Sequence, residues 1–260
     1  MGLLGTNGSG KTTLIQCLLG LLQITSGSAA IFGEEPWHLS AEAKARLAYV
    51  PQVVKFYAWM NVRQMIDYTA AFYPTWDMDL CNRMVEIWEL DEKKKVSTLS
   101  VGQQQRLGLV ISMGHRPELL ILDEPAASLD PKGRRELLRT ILEQQEGEIK
   151  TVLFSTHITS DLERVASHVA ILREGVTDYF GRLDDLKDSV KRLRITSATT
   201  LPMSFSVPGA IRTEVYGSTA VVAVAEVNDA LTTQLESDWN ANVTVEDLNL
   251  EDIFLELHDA

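Results

Sequence analysis

The sequence is poor in cysteine, in long apolar runs and in positive charge, and each shortage excludes a class of protein. Its two cysteines, Cys17 and Cys81, have the spacing of neither a metal site nor a redox pair, which is typical of reduced thiols in a cytosol. No apolar run approaches the ~18 residues that a membrane-spanning helix needs. Lysine and arginine number 24 against 36 aspartates and glutamates, and the net charge of -12 argues against nucleic acid as a partner.

What is present predicts a globular α/β protein. The chain is 45% hydrophobic and 23% charged, and 260 residues allow one large domain plus a small one. Strand and helix patterns alternate through the first part, which predicts a mainly parallel sheet with helices on both faces, and 25–33 suggests a turn and a short strand. The stretch at about 56–117 indicates an inserted helical subdomain. The pattern changes near residue 187, so we expect domains at 1–186 and 187–260, the second a small α+β accessory domain.

A glycine-rich loop near the start of the chain predicts a phosphate site. Gly5, Gly10, Lys11 and Thr12 match the pattern G-x-x-x-x-G-K-[ST], which predicts the fold of a P-loop NTPase. Glycines let successive backbone N–H groups approach a phosphate, the lysine adds a cation, and the threonine hydroxyl can ligate Mg²⁺. A helix pattern follows, and its positive end would face the same anion. We expect nucleotide contacts from the whole loop: Gly5, Thr6, Asn7, Gly8, Ser9, Gly10, Lys11, Thr12 and Thr13.

A second chemical signal lies far downstream in "ELLILDEP". Four apolar residues precede Asp123 and Glu124, as in a buried parallel strand that ends in carboxylates. Ligands of open α/β sheets bind beyond the carboxyl ends of the strands, so both acids should face the glycine loop. Asp123 can hold Mg²⁺ through water, while Glu124 can polarise an attacking water as general base.

Four further motifs, in order with these two, identify a family. They are "YVPQ" (49–52), "LSVGQ" (99–103), "AASLD" (126–130) and "LFSTH" (153–157). With the glycine loop and the acidic strand, they resemble the ATP-binding subunits of ABC transporters over roughly residues 1–181. The resemblance implies an ATPase that uses ATP and Mg²⁺ and drives transport. It also implies that Gln52 senses Mg²⁺ and the attacking water and that His157 contacts the γ-phosphate.

In this family two ATP-binding domains sandwich ATP head to tail, so part of each site comes from the partner. The resemblance implies that the signature residues Ser100, Gly102 and Gln103 meet the ATP of the partner protomer, and that Asp130 crosses the dimer interface. Val101 replaces the first glycine of the family's signature. Because a β-branched residue avoids positive φ, we expect an extended or helical backbone there, with hydrolysis weakened or altered at most.

The resemblance also implies partners and a location. We expect an integral membrane permease on a separate chain, a homodimer or a heterodimer with another ABC ATPase subunit, and a cytoplasmic protein held peripherally on the inner face of the cell membrane. Some aromatic residues of 56–77 would form the groove that docks the permease, or else fill the core of the helical subdomain. "FYPTWD", "STHITSDLERVA" and "LEDIFLEL" are similar to a bacterial, exporter-type subgroup.

Three matters stay open at the level of sequence. Family members usually carry antiparallel strands and an adenine-stacking aromatic residue before the loop, and here "MGLL" precedes it, so we expect either a start upstream or a short form without base stacking. A degenerate subunit with a structural or regulatory role in a heterodimeric transporter is one alternative function. A soluble ABC ATPase of translation or DNA repair is another, and it resembles the chain less.

Overall fold

The structure, a computed structural model, describes residues 1–145 and 151–258 and divides into two compact units. One unit comprises Met1–Val165 with Leu172–Thr177, and the other comprises Ala166–Ile171 with Asp178–Ala260. The domain boundary expected after residue 186 stays a prediction.

The first unit is built around parallel strands. Its elements are β1 (Gly2–Leu4), α1 (Lys11–Leu18), α2 (Ala41–Ala45), β2 (Leu47–Val50), α3 (Val62–Ala70), α4 (Met78–Ile87), α5 (Val101–Met113), β3 (Leu119–Asp123), α6 (Pro131–Gln145), β4 (Thr151–Thr156) and α7 (Thr159–Val165). With β5 (His168–Arg173) and β6 (Val176–Arg182), the sheet has the order β2-β3-β4-β1-β5-β6. β1, β2 and β3 each pair in parallel with a neighbour, which confirms the predicted fold class.

The predicted site residues lie together at the carboxyl ends of neighbouring strands of this sheet. Leu4 of β1 lies opposite Thr156 of β4, and Asp123 of β3 lies opposite Ser155. Strands β1, β3 and β4 run in the same direction, so their carboxyl ends lie side by side. The glycine loop follows β1, the acidic pair lies at the end of β3, and His157 follows β4. β3 is almost entirely buried, as its apolar run predicts.

The second unit contains an antiparallel sheet of order β10-β7-β9-β8. Its elements are α8 (Leu183–Ser189), β7 (Lys191–Ser197), β8 (Ala210–Tyr216), β9 (Thr219–Val224), α9 (Asp229–Trp239), β10 (Ala241–Asp247) and α10 (Leu250–His258). Leu193, Ile195 and Val222 of the sheet share a core with Leu235 of α9, which confirms the α+β character. The sequence did not predict β10, because this edge strand is polar and largely exposed and is defined by its ladder with β7.

The short strand suggested within 25–33 is wrong. The structure has an isolated bridge there, in which Ile31 and Glu34 exchange both backbone hydrogen bonds. The two intervening residues, Phe32 (φ 54°) and Gly33 (φ 83°), both have positive φ, as the central residues of a tight hairpin turn do. The apolar "AIF" therefore leads into a turn and not along a strand.

Candidate nucleotide-binding site

The glycine loop joins β1 to α1 in a conformation that requires glycine. Gly10 has φ 103° and immediately precedes α1, in the left-handed region that side chains disfavour. A Cβ atom on Gly5 would lie 2.5 Å from the Leu172 carbonyl oxygen, so the loop can pass there only without a side chain. Among the residues that the structure describes, none has an atom within 4 Å of a Cβ built on Gly8, which leaves that part of the loop open to a ligand.

Lys11 is the first residue of α1 and its charge is held inside the loop. The side chain is 6% exposed, and its ammonium group donates to the carbonyl oxygens of Gly5 (2.9 Å) and Thr6 (3.1 Å). It also lies 3.2 Å from Oε1 of Glu124, in an ion pair without a well-directed hydrogen bond. An anion bound by the loop therefore competes with Glu124 for this cation.

Glu124 connects three segments of the site. Its φ of 47° is unusual for a residue other than glycine, and its amide N–H donates to both the carbonyl oxygen (3.2 Å) and the hydroxyl (2.9 Å) of Ser155. Its second carboxylate oxygen lies 2.9 Å from Nδ1 of His157, within hydrogen-bond distance. The proposed base is thus placed between the cation of the glycine loop and the histidine that follows β4.

Asp123 is wholly buried, and among the described residues only one of its two carboxylate oxygens has a hydrogen-bond partner. Oδ1 accepts a hydrogen bond of 2.6 Å from the Ser155 hydroxyl, whereas Oδ2 has no hydrogen-bond partner within the described part of the chain. Burial and, to a smaller extent, the negative charge of Asp123 raise the pKa of nearby Tyr49 to about 12. A buried carboxylate oxygen without a partner suits a hydrated cation.

One cleft of about 340 Å³ collects most of the predicted nucleotide site. It is lined by Asn7, Gly8, Gly10, Lys11, Thr12, Thr13, Gln52 and Glu124. Gln52 thus reaches the same cleft from the chain after β2, as its motif predicts. Ser9 is buried beneath the loop, and its hydroxyl has no hydrogen-bond partner among the described residues.

The signature residues lie in a different cleft. Ser100 caps α5: its hydroxyl accepts from the amide of Gln103 (3.2 Å), and the Gln103 side chain accepts from the amide of Ser100 (3.1 Å). Val101 is the first helical residue and is 64% exposed, so the expectation of a helical or extended backbone is confirmed. Together with Gly102, these residues line a cleft of about 500 Å³ that also contains Asp130.

Asp130 has a structural task within its own chain. Its side chain accepts a hydrogen bond of 2.7 Å from the amide of Gly133, and its carbonyl oxygen accepts from the amide of Arg134, so it caps α6. The residue is exposed, which leaves it accessible to a partner. The role at a dimer interface stays a prediction.

Sequence reasoning missed Ser155. The residue stands inside the "LFSTH" motif, but the resemblance gave weight to the histidine alone. The signal that could have found it is the sheet register, because the third residue from the end of the motif lies beside Asp123 once β3 and β4 are paired. Register between distant strands cannot be read from either strand by itself.

The residues present fit ATP and Mg²⁺. The glycine loop offers a cation and an open backbone, and Thr12 and Gln52 line the nucleotide cleft. Asp123, beside Glu124, offers a buried oxygen that has no hydrogen-bond partner among the described residues. Oxygen ligands of this kind are those that Mg²⁺ prefers when it is bound together with phosphates.

Comparison with known proteins decides the family. A family model described as "ABC transporter" matches residues 1–127. YxlF of Bacillus subtilis (strain 168), an uncharacterized ABC transporter ATP-binding protein, is 34% identical over 226 residues, which cover 85% of this chain and 73% of YxlF. The chain belongs to the ATP-binding proteins of ABC transporters. It is accordingly an ATPase subunit that powers transport, and ATP and Mg²⁺ are its cofactors.

Two further similarities extend this result. The bacitracin transport ATP-binding protein BcrA of Bacillus licheniformis is 39% identical over 176 residues, which cover 67% of this chain and 58% of BcrA. A solved structure of the ATP-binding cassette MJ0796, a dimer in a post-hydrolysis state bound to ADP and Pi, has a TM-score of 0.62 at 20% identity and covers 70% of this chain and 84% of that one. At this identity the match shows a shared fold.

Proposed function

We propose that the ABC ATPase subunit hydrolyses ATP as a head-to-tail dimer, in which each nucleotide cleft is completed by the signature of the partner. The observation that carries this proposal is the separation of the two halves of the site. Lys11, Gln52 and Glu124 line one cleft, while Ser100, Gly102 and Asp130 line another. A second copy in opposite orientation would bring one of each together.

Each residue of the nucleotide cleft has a task that its contacts support. Lys11 and the loop amides bind the phosphates, and Thr12, Gln52 and Asp123 would hold Mg²⁺, which neutralises phosphate charge when bound. Glu124 accepts the proton of the attacking water as general base. His157, within hydrogen-bond distance of Glu124, orients that carboxylate and contacts the terminal phosphate.

The dimer half of the proposal rests on the capped start of α5. The hydroxyl of Ser100 and the amide of Gly102 lie at a helix N-terminus, which favours an anion. Subunits of this family dimerise and work with membrane permeases. The homodimer and the heterodimer both satisfy this geometry. Glu124 and His157 lie within hydrogen-bond distance of each other, which favours an active subunit over a degenerate one.

A membrane permease on a separate chain is the partner that the proposal requires, and it would hold this subunit at the inner face of the cell membrane. Among the helices described, none combines the length and the apolarity that crossing a membrane requires. Trp59 and Phe72 are 68% and 69% exposed, and the rings of Tyr57 and Tyr68 lie between them in one continuous row of ring contacts. This exposed aromatic row supports a docking surface on the helical subdomain. The exporter-type assignment rests on the sequence resemblance.

The predicted domain 187–260 would be accessory to nucleotide binding. The lining of the nucleotide cleft comes entirely from residues 7–124, which supports this assignment. Removing residues 190–260 should therefore leave the affinity for ADP unchanged in calorimetry, and a loss of binding would contradict the boundary.

Light scattering tests the dimer directly. Glu124→Gln should slow hydrolysis at least ~10²-fold, which preserves bound ATP, and it should change from monomer to dimer when Mg²⁺ and ATP are added. The same variant in EDTA and the double variant with Lys11→Ala should stay monomeric. A Glu124→Gln protein that binds ATP and remains monomeric, or one that hydrolyses ATP at the normal rate, would refute the proposal.

A further inference from the structure

Ser155 is a buried hydroxyl that contacts both acidic residues of the site. It is wholly buried at the end of β4, and it lies directly opposite Asp123 of β3 in the parallel register. Neighbouring residues in parallel register point to the same face of the sheet, so the serine and the carboxylate meet side by side. No role is assigned to Ser155 by the motif in which it stands.

The hydroxyl has a single proton, and the geometry fixes where that proton goes. Asp123 is an acceptor, so the 2.6 Å contact is a donation from Ser155 to Oδ1, in the range of a charge-assisted O–H···O⁻ bond. The lone pairs of the same hydroxyl accept the amide N–H of Glu124 at 2.9 Å. One side chain therefore orients the carboxylate of Asp123 and clamps the backbone of the next residue.

The hydrogen bonds of Ser155 hold two features of the site: the backbone conformation of Glu124 and the orientation of the Asp123 carboxylate. Glu124 has φ 47°, a left-handed conformation that residues other than glycine disfavour, and its amide is held there by the two hydrogen bonds that it donates to Ser155. The bond to Oδ1 fixes the rotation of the Asp123 carboxylate and leaves Oδ2 as the oxygen without a partner among the residues described.

We infer that Ser155 is a positioning residue for Mg²⁺, because its bond to Oδ1 holds the Asp123 carboxylate in one orientation and leaves the buried Oδ2 as the oxygen that can accept a hydrogen bond from the hydrated ion. The inference rests on the proposed function of the cleft and names a residue outside its lining. Ser155 touches neither the nucleotide cleft nor the proposed ligand, so it acts through Asp123. Partners that orient metal ligands in this way typically change metal affinity or activity by about 10–100-fold when they are removed.

Calorimetry of ADP binding separates this role from a merely structural one, because ADP is not hydrolysed. In the wild-type protein, ADP should bind more tightly with excess Mg²⁺ than in EDTA. Ser155→Ala should keep the affinity measured in EDTA and lose most of the gain from Mg²⁺, with a metal affinity about 10–100-fold weaker. Ser112→Ala is the matched control, since it removes another buried hydroxyl, which donates to the Leu109 carbonyl oxygen in α5.

A double-mutant cycle with Asp123→Asn completes the test. If Ser155 acts through Asp123, Asp123→Asn alone should abolish the Mg²⁺ gain, and adding Ser155→Ala should change little more. A full Mg²⁺ gain in Ser155→Ala, or additive losses in the double variant, would overturn the inference. A wild-type protein without any Mg²⁺ gain would instead refute the proposed cleft. Thermal unfolding of each variant checks that the comparison is made between folded proteins. Ser155→Cys, which keeps the side-chain shape but has only a weak donor, supplies the decision if Ser155→Ala unfolds: it should also lose most of the Mg²⁺ gain, and a full gain would overturn the inference.

Discussion

The ion pair between Lys11 and Glu124 gives the sharpest prediction about phosphate binding by the glycine loop. The ammonium group is shared between two carbonyl oxygens and a carboxylate, and both charged side chains are 6% exposed. A phosphate must draw the cation away from Glu124 and must also approach that negative charge. Glu124→Gln removes both obstacles, so we expect the variant to bind ADP more tightly than the wild-type protein does.

The distance sets the scale of the effect. Two unit charges 3.2 Å apart attract by about 5 kcal/mol at an effective dielectric constant of ~20. Desolvation of both groups cancels much of this attraction, and the amide oxygen of glutamine still accepts a hydrogen bond. If about a quarter survives, on the order of 1.4 kcal/mol, ADP should bind roughly tenfold more tightly.

Calorimetry of ADP in EDTA measures this effect without hydrolysis or metal. Glu143→Gln is the matched control, because Glu143 forms an exposed pair with Arg139 on α6, and its affinity for ADP should equal that of the wild-type protein. Equal or weaker binding by Glu124→Gln would show that Glu124 does not compete for Lys11, and the reasoning would fail.

Three further predictions concern stability and can be measured by thermal or urea unfolding. Gly114→Ala should destabilise the protein by about 1–3 kcal/mol, because its Cβ would lie 2.2 Å from the Trp76 ring, and an unchanged midpoint would contradict that packing. Ser100→Ala should cost about 1 kcal/mol through loss of the α5 cap, whereas no loss would mean that the capping box contributes nothing. Burial lowers the pKa of His115, so the unfolded chain takes up the proton first and stability should fall as the pH drops below about 6.5. His115→Gln should reduce this pH dependence of stability, and an unaltered pH dependence would show that another group causes it.

The parts of the site that follow from local chemistry were predictable from the sequence. The spacing of Gly5, Gly10 and Lys11 requires a tight loop before a helix, and the structure has that loop between β1 and α1. The apolar run before Asp123 requires a buried strand, and β3 is one. In both cases the pattern lies within a short stretch of chain, so no knowledge of distant pairing is needed.

The parts that depend on distant pairing were not predictable. Ser155 gains its contacts through the register of β3 and β4, and β10 exists because β7 offers an edge for it. The turn at Phe32 and Gly33 likewise replaced a strand that the apolar residues alone suggested. Propensity and apolar periodicity describe a segment, whereas register and edges belong to the assembled sheet.

Glu124, the proposed base, takes its geometry from residues that are distant in sequence and meet where the strands of the sheet end. Its side chain lies between Lys11 and His157, while its strained backbone is held by Ser155, so three residues from two distant stretches of the chain set one carboxylate. Lys11 is paired with Oε1 of Glu124, so a phosphate that drew the lysine away would release that oxygen from its ion pair. If Glu124 acts as the proposed base, phosphate binding and preparation of the base would be coupled through this one carboxylate.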